Sequence, residues 1–144
     1  MRQYTSKNYP IKSFVDAKTF AKLGIRAWEL LNPDLLFAFD TITKFYGKKL
    51  IVNNWADKGA FSYRGFRPTM CGVGYVFGAH YRGCAIDFNV PDVAPAQVQL
   101  DLVKNVELWP EITRMEDLSA TPTWTHIDVS NKLMEVEGIY VFKP

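Results

Sequence analysis

The stretch His80-Tyr-Arg-Gly-Cys-Ala-Ile-Asp-Phe-Asn89 combines a histidine, a glycine turn and a short apolar segment that contains an aspartate. Apolar runs of this length bounded by turn residues are typical of strands, so residues 84–89 are predicted to form one. Gly83 allows the chain to turn directly before that strand. His80 and Asp87 can therefore reach one site, one from before the turn and the other from the strand.

A second stretch, Trp124-Thr-His-Ile-Asp128, also has strand character, and its even-numbered side chains point to one face. It contains His126. Together with His80 and Asp87 it provides two histidines and one carboxylate, a donor set typical of catalytic zinc with a fourth position open to water. A bound water then ionises near neutral pH and can attack a carbonyl. Because the chain has only 2 histidines, a three-histidine site is excluded.

The rest of the sequence predicts an α+β fold, in which helices come first and a small, mainly antiparallel sheet follows with one more helix inserted. Apolar periodicity and end signals predict three helices. The first covers residues 17–31 and is capped by Asp16, and the second runs from Pro33 to just before Gly47. The third begins within Pro91–Pro95 and ends at about Asn105, with Val98, Leu102 and Val103 facing inward. Strands are predicted over residues 49–54, 84–89, 112–116, 124–130 and 138–142. Residues 55–79 lack periodicity and predict a long irregular loop, a feature that is usually functional.

Composition limits the classes of function. A chain of 144 residues with 48% hydrophobic and 22% charged residues predicts a single folded domain over residues 1–144. The net charge of +2 gives no electrostatic reason to expect nucleic acid or an anionic membrane as partner. No apolar signal segment opens the chain and no run approaches the roughly 18 residues that span a bilayer, so synthesis in the cytoplasm without membrane insertion is expected. Cys71 and Cys84 are expected to be small buried residues.

The motif His-x-x-Gly-x-Ala-x-Asp at residues 80–87, followed by Trp-x-His-x-Asp at residues 124–128, resembles the zinc D-Ala-D-Ala carboxypeptidase family. That family includes endolysin endopeptidases and shares the hedgehog-like fold. Tyr63-Arg-Gly-Phe-Arg-Pro68, which follows Asn53-Asn-Trp55, is similar to the family's Asn-Ser-Gly-x-Arg-Ser/Pro block. The resemblance covers roughly residues 34–130. Small phage-encoded members share this length and layout, so a phage origin is expected.

The resemblance implies zinc-dependent cleavage of peptide bonds in bacterial peptidoglycan, by a carboxypeptidase or an endolysin-type endopeptidase. His80, Asp87 and His126 match the zinc ligands. Arg67 matches the arginine that polarises the scissile carbonyl or binds the substrate carboxylate, which is a charge-stabilising role. The expected partners are peptidoglycan stem peptides. The protein would be made in the host cytoplasm and act on the cell wall after release, or as a virion component in contact with other virion proteins.

The general base departs from the family pattern. Relatives often place a Glu or His two to four residues before the third ligand, whereas Pro-Thr-Trp occupies residues 122–124 here. If residues 112–116 pair antiparallel with residues 124–128, Glu116 lies opposite Trp124 and points to the zinc side, which makes it the candidate base. A slip of one residue would present Asp117 instead. Asp128, the other nearby carboxylate, is expected to pair with an arginine or to support a histidine ligand.

A second hypothesis is a non-catalytic module on the same fold, either a virion structural protein or a cell-wall-binding protein. It is motivated by the vacant base position and by Gly78, which stands where the family usually has serine. Two interpretations also stay open for the aromatic side chains of the long loop, which can line a groove or attach the loop to the core. These are Trp55, Phe61, Tyr63, Phe66 and Tyr75.

Overall fold

The computed structural model describes residues 3–132 and 134–144 and shows the predicted α+β architecture. Two α-helices come first and four short strands follow, with a third α-helix between the first and the second strand. The helices are α1 (Ala17–Leu23), α2 (Pro33–Tyr46) and α3 (Pro95–Lys104), and the strands are β1 (Ala85–Phe88), β2 (Arg114–Glu116), β3 (Thr125–Asp128) and β4 (Tyr140–Phe142). Short 3-10 segments connect them. In the part of the chain that the structure describes, no helix is long and apolar enough to span a bilayer.

The N-terminal helix begins as predicted but ends early. The Asp16 carboxylate accepts two N–H groups of the first turn, so it is the N-cap. The backbone leaves the helical region at Gly24 (φ 55°, ψ −133°), and a 3-10 segment, Gly24–Leu30, follows. The prediction of one helix over residues 17–31 is therefore wrong beyond Leu23, because apolar spacing alone does not separate an α-helix from a 3-10 helix.

Helix α2 is confirmed and forms one side of the core. The side chain of Asn32 caps its first turn, Pro33 occupies the first helical position, and Gly47 ends the helix in a left-handed conformation. The helix buries an apolar stripe against the sheet, and Phe39 meets Phe88 of β1 edge to face at 5.3 Å. The largest fully buried side chains include Trp109, Phe14, Phe39, Phe88, Leu35, Leu36, Ile42, Ile86, Leu102, Met115 and Ile127.

The sheet has the order β1-β3-β2-β4, with β3 antiparallel to both β1 and β2 and β4 parallel to β2. All four residues of β1 and of β3 are buried, so this strand pair is covered on both faces. A mainly antiparallel sheet was predicted and is confirmed. The central position of β3 means that a side chain on its open face has neighbours from β1 and from β2.

Two local predictions are wrong. Residues 49–54 do not form a strand, because only Ile51 bridges Asn89, while the N–H groups of Leu50 and Asn53 donate to the Tyr9 hydroxyl and the Ser13 carbonyl. Their backbone is satisfied by the N-terminal segment instead of by a sheet.

In α3, Val98 and Leu102 face inward as predicted, but Val103 is 51% exposed. The helix covers the core with a single stripe, and Val103, which directly follows Leu102, lies outside it.

The register between β2 and β3 differs from the predicted one by two residues. Arg114 pairs with Asp128 and Met115 with Ile127, which brings Glu116 beside His126 instead of Trp124. Because side chains alternate with a period of two, a shift of two residues leaves every side chain on its predicted face. The predicted direction of Glu116 is therefore right, although its predicted partner is wrong.

Residues 55–78 form an irregular loop, as predicted, apart from a 3-10 turn at Trp55–Asp57, and Ala79 already begins the next 3-10 turn. Its aromatic residues divide between the two expected roles. The indole N–H of Trp55 donates to the Val15 carbonyl at 2.8 Å, and Phe66 packs against the core, so both attach the loop. Tyr75 is 72% exposed and lines the cleft described below. Cys71 and Cys84 are only partly buried, contrary to expectation.

Replacement of Gly83 by alanine should destabilise the fold by roughly 3 kcal/mol, the sum of a left-handed backbone and a steric clash. Gly83 has φ +68°, and a Cβ atom there would lie 1.7 Å from the Leu30 carbonyl oxygen. Gly47 is the matched control, because its φ is +63° and a Cβ there meets nothing within 4 Å. Gly47→Ala should cost only about 1–2 kcal/mol. Urea unfolding measures both variants, and equal losses would contradict the role given to the close approach at Gly83.

Candidate metal centre

Three buried side chains from three elements converge at one point above the sheet. His80 lies on the 3-10 turn Ala79–Arg82, whereas Asp87 and His126 are directly opposed residues of β1 and β3. His126 Nδ1 is 2.8 Å from Asp87 Oδ1, and His80 Nε2 is 3.2 Å from that oxygen and 3.3 Å from His126 Nδ1. These residues are called the His–Asp–His cluster below.

The cluster fits a metal ion in both donor type and spacing. Two imidazole nitrogens and one carboxylate oxygen lie within 4.8 Å of one another and could hold an ion. Bonds of 2.0–2.1 Å in tetrahedral geometry would place ligand atoms roughly 3.3 Å apart, close to the separations above. Three protein donors also leave a fourth tetrahedral position for another ligand. The sequence prediction of a His–Asp–His metal site is thus matched by geometry, although the donor set alone does not define which metal binds.

The outer nitrogen of each histidine is held by a hydrogen bond, which points the other nitrogen into the cluster. His80 Nδ1–H donates to the Gly65 carbonyl at 2.8 Å. His126 Nε2–H donates to Asp128 Oδ2 at 3.1 Å. Such partners fix the tautomer and orientation of metal-binding histidines. Gly65 lies in the Tyr63–Pro68 block quoted above, but its orienting carbonyl could not be recognised there because any residue supplies one.

Asp128 makes both contacts that the sequence predicted for it. It is fully buried and accepts two hydrogen bonds from Nε and one from Nη2 of Arg114, at 2.9–3.1 Å, in addition to the bond from His126. The Arg114 guanidinium also lies 4.5 Å from the ring centre of Phe142 on β4. Asp128 therefore acts as a positioning residue behind His126 and is not available as a proton acceptor in the cleft.

Asp128→Asn should weaken metal binding by about 10–100-fold, the usual cost of losing an orienting carboxylate behind a histidine ligand. The amide cannot match the charge that holds Arg114 and the His126 ring. Metal affinity is measured by competition with a chromophoric chelator. Asp117→Asn is the matched control, because Asp117 accepts from Ser119 and does not line the cleft. Unchanged affinity in Asp128→Asn would contradict the positioning role.

Glu116 is the acidic side chain that the cleft presents to the cluster. Its Oε1 lies 4.0 Å from His126 Nδ1, and the side chain remains partly accessible to solvent. Asp117, the predicted alternative, instead accepts from the backbone N–H of Ser119 and does not line the cleft. Of these two carboxylates, the fold brings Glu116 to the site and leaves Asp117 outside it.

Arg67 lies at the site but is engaged by its surroundings. Its Nη2 donates to Asp87 Oδ2 at 3.0 Å and its Nε donates to the Tyr63 carbonyl at 2.7 Å. The remaining nitrogen, Nη1, is next to Gly74 at the cleft wall. Arg67 therefore neutralises the outer oxygen of Asp87 and still presents one donor to the cleft.

Charge compensation keeps the acids of the site ionised. Burial by itself would raise the pKa of Asp87, but the charge of His80 and the hydrogen bonds from His126 and His80 hold this pKa far below its ordinary value. Burial would likewise raise the pKa of Asp128, but His126 and Arg114 lower it. For His126, burial would lower the pKa, but hydrogen bonds to Asp128 and Asp87 raise it to about 9. The carboxylates therefore stabilise the fold above about pH 3.8 and lose this contribution as the pH falls further.

Metal-free protein should become less stable as the pH rises from 6.5, the ordinary pKa of His126, to about 9, its value in the fold. Protonated His126 stabilises the fold fully below the lower value, and this contribution, on the order of a few kcal/mol, is lost as the pH rises through the higher one. Added zinc requires the deprotonated ring, so its increase in Tm should be larger at about pH 8.5 than at pH 6.5. Thermal unfolding with a chelator or with zinc tests this, and a zinc effect independent of pH would contradict it.

The cluster opens into a cleft of about 490 Å³. Besides the cluster histidines, its walls include Arg67, Glu116, Phe142 and Lys143. Phe142 meets the His126 ring edge to face at 6.1 Å. Sequence reasoning missed Phe142 and Lys143, because the parallel pairing of β4 with β2 has no local signal. A larger groove, of about 700 Å³, lies between the N-terminal segment and α2 and shares no residue with this cleft.

No protein-family model, curated protein or solved structure gives a match to this chain. The family resemblance therefore depends on the motif residues quoted above and on where the fold places them. Of those residues, Arg67, His80 and His126 line one cleft, and the two motif stretches are in contact across β1 and β3.

Proposed function

We propose that this protein is a zinc-dependent peptidase that cleaves peptide bonds in bacterial peptidoglycan. The observation that carries the proposal is the convergence of His80 Nε2, Asp87 Oδ1 and His126 Nδ1, each with an orienting partner, at the base of an open cleft. The sequence resemblance supplies the substrate class. The chain is then expected to derive from a phage and to meet its substrate in the cell wall, after release from the host cytoplasm or as a virion component.

Zinc suits two imidazoles and one carboxylate, and when bound it would supply Lewis-acid activation of a water and of a carbonyl. The cluster would hold the ion through the three atoms named above. Asp128 and the Gly65 carbonyl keep both rings in the ligating orientation. Arg67 offsets negative charge on Asp87, so the carboxylate stays ionised inside the protein.

In this proposal Glu116 takes a proton from a water molecule in the cleft and returns it to the leaving amine. Its side chain points from β2 into the cleft beside His126. Arg67 Nη1 and Lys143 are cationic groups on the walls of the same cleft and can stabilise negative charge on a substrate or in the transition state. Acid–base and charge-stabilising groups thus surround the cluster on the side that is open to solvent.

The test combines metal analysis with hydrolysis. Protein purified without chelators is expected to contain one zinc per chain and to release peptide fragments with new amino termini from purified peptidoglycan. Chelator should abolish release, and added zinc should restore it. Mass spectrometry of the fragments identifies the bond that is cut. Absence of release by zinc-loaded protein from peptidoglycan and from D-Ala-D-Ala peptides would refute the peptidase proposal.

A second candidate function, a non-catalytic cell-wall-binding or virion module, is favoured by one observation. Two of the three nitrogens of Arg67 are already used, by Asp87 and by the Tyr63 carbonyl, which reduces its capacity to bind a substrate carboxylate. Such a module would bind peptidoglycan or a virion partner without turnover. Stoichiometric binding by zinc-loaded protein, with no fragments released over a long incubation, would favour it over the peptidase.

A further inference from the structure

Two exposed aromatic side chains lie side by side on the loop that borders the cleft. Tyr75 and Phe77 are 72% and 73% exposed, and their rings meet edge to face with centroids 5.5 Å apart. They are called the aromatic rim here. Exposed pairs of large aromatic side chains beside a cleft usually mark a binding surface, because their apolar faces gain free energy when a ligand covers them. Tyr75 lines the cleft itself, next to Arg67 and His80.

The loop that carries the aromatic rim is held in place by specific contacts. The Tyr81 hydroxyl donates to the Val73 carbonyl at 2.8 Å, and the N–H of Gly78 donates to the Tyr75 carbonyl at 2.8 Å. Gly74 has φ +72°, and a Cβ atom there would lie 2.7 Å from Arg67 Nη1. The lack of a side chain at Gly74 therefore lets the loop approach the Arg67 guanidinium, which places Tyr75 at the wall of the cleft.

We propose that the aromatic rim binds the glycan strand of peptidoglycan beside the peptide that occupies the cleft. This inference rests on the proposed function, since it assigns the part of the substrate that lies outside the cluster. Peptidoglycan consists of pyranose rings that bear short peptides. The side chains of those peptides are small or polar and offer little surface to two large rings, whereas the C–H faces of a pyranose match the flat apolar face of an aromatic ring.

The position of Tyr75 also distinguishes a glycan from a lipid surface. A bilayer can cover an exposed loop tip, but it cannot enter the cleft that His80, Glu116 and Arg67 line together with Tyr75. A polymer chain that passes the cleft mouth contacts Tyr75 and Phe77 together and still delivers an attached peptide to the cluster. The continuity of the aromatic rim with the cleft therefore favours a ligand that is part of the substrate.

Binding to three probes tests the proposal in the Glu116→Gln background, which should leave the probes intact. The probes are insoluble peptidoglycan, peptide-free glycan strands prepared with an amidase, and free stem peptides. Tyr75→Ala combined with Phe77→Ala should reduce affinity for peptidoglycan and for glycan strands by about tenfold or more, and reduce affinity for stem peptides by a clearly smaller factor, because only Tyr75 lines the cleft that the peptide occupies. Ile25→Ala combined with Leu100→Ala is the matched control, because these exposed apolar residues (77% and 65%) do not line the cleft.

Each other result overturns the proposal. If the rim variant bound glycan strands as tightly as the parent protein, the aromatic rim would have no role in glycan binding. An equal loss for stem peptides would assign the rim to the peptide. Phosphatidylglycerol vesicles serve as a further probe, and rim-dependent binding to them without binding to glycan strands would assign the rim to a membrane. Failure of the peptidase proposal looks different, because rim-dependent glycan binding would persist while zinc-loaded wild-type protein releases no fragments.

Discussion

His126→Ala is expected to abolish hydrolysis of peptidoglycan and to lower zinc affinity by more than about a hundredfold. This loss is larger than the one expected when a ligand only loses the residue that orients it. His126 Nδ1 is the donor nearest to Asp87, at 2.8 Å, and its ring also connects the cluster to Asp128. Its removal leaves two protein donors, which is fewer than a catalytic zinc site uses. Zinc content after dialysis and isothermal titration measure the binding, and release of new amino termini measures the hydrolysis.

The control for this variant is Ile127→Val, a small change at the neighbouring buried position of β3 whose side chain points to the opposite face. It should retain zinc and activity, although its stability falls by about 0.5–1.5 kcal/mol. Circular dichroism shows whether His126→Ala remains folded. A folded His126→Ala protein that keeps one tightly bound zinc would contradict the assignment of the cluster as the metal site.

Glu116→Gln is expected to lower kcat by about 10²–10⁴-fold while zinc remains bound. The amide keeps the size of the side chain but cannot accept a proton from water, and Glu116 is not one of the cluster donors. Its Oε1 lies 4.0 Å from His126 Nδ1, close enough to act on a molecule held at the cluster. Steady-state hydrolysis of a soluble peptide substrate with a parallel zinc assay separates the loss of the base from loss of the metal.

Asp117→Asn is the matched control for Glu116→Gln, because it makes the same kind of change one residue along the chain, outside the cleft. It should retain most of the wild-type kcat. If Asp117→Asn lost activity and Glu116→Gln did not, the base would have to be reassigned. If neither variant lost activity, neither the Glu116 nor the Asp117 carboxylate would be needed for proton transfer.

Local sequence signals predicted the elements that depend on neighbouring residues. The cap at Asp16, the start of α2 at Pro33 and its end at Gly47 follow from backbone groups that adjacent side chains satisfy. The same reasoning failed at residues 49–54, where the partners of the backbone N–H groups come from the N-terminal segment. A strand-like sequence does not form a strand when only one of its residues, Ile51, pairs with a residue beside the sheet.

For the site, the spacing of two motifs identified the candidate donors, and the period of a strand gave the direction of Glu116. Spacing could not give the two-residue difference in register between β2 and β3, because register is set by packing along the whole strand pair. It also could not show that Arg114 and Phe142 support the cluster from β2 and β4.

The sequence alone determined the types of donor that are available, since two histidines and a limited set of carboxylates leave few combinations for a metal site. Only the tertiary structure decided that His80, Asp87 and His126 face one another, that Gly65 and Asp128 hold the two rings, and that Tyr75 stands at the cleft mouth. The physical reason is that donor chemistry belongs to single side chains. Convergence within 4.8 Å depends instead on strand pairing and on loop contacts between residues far apart in the chain.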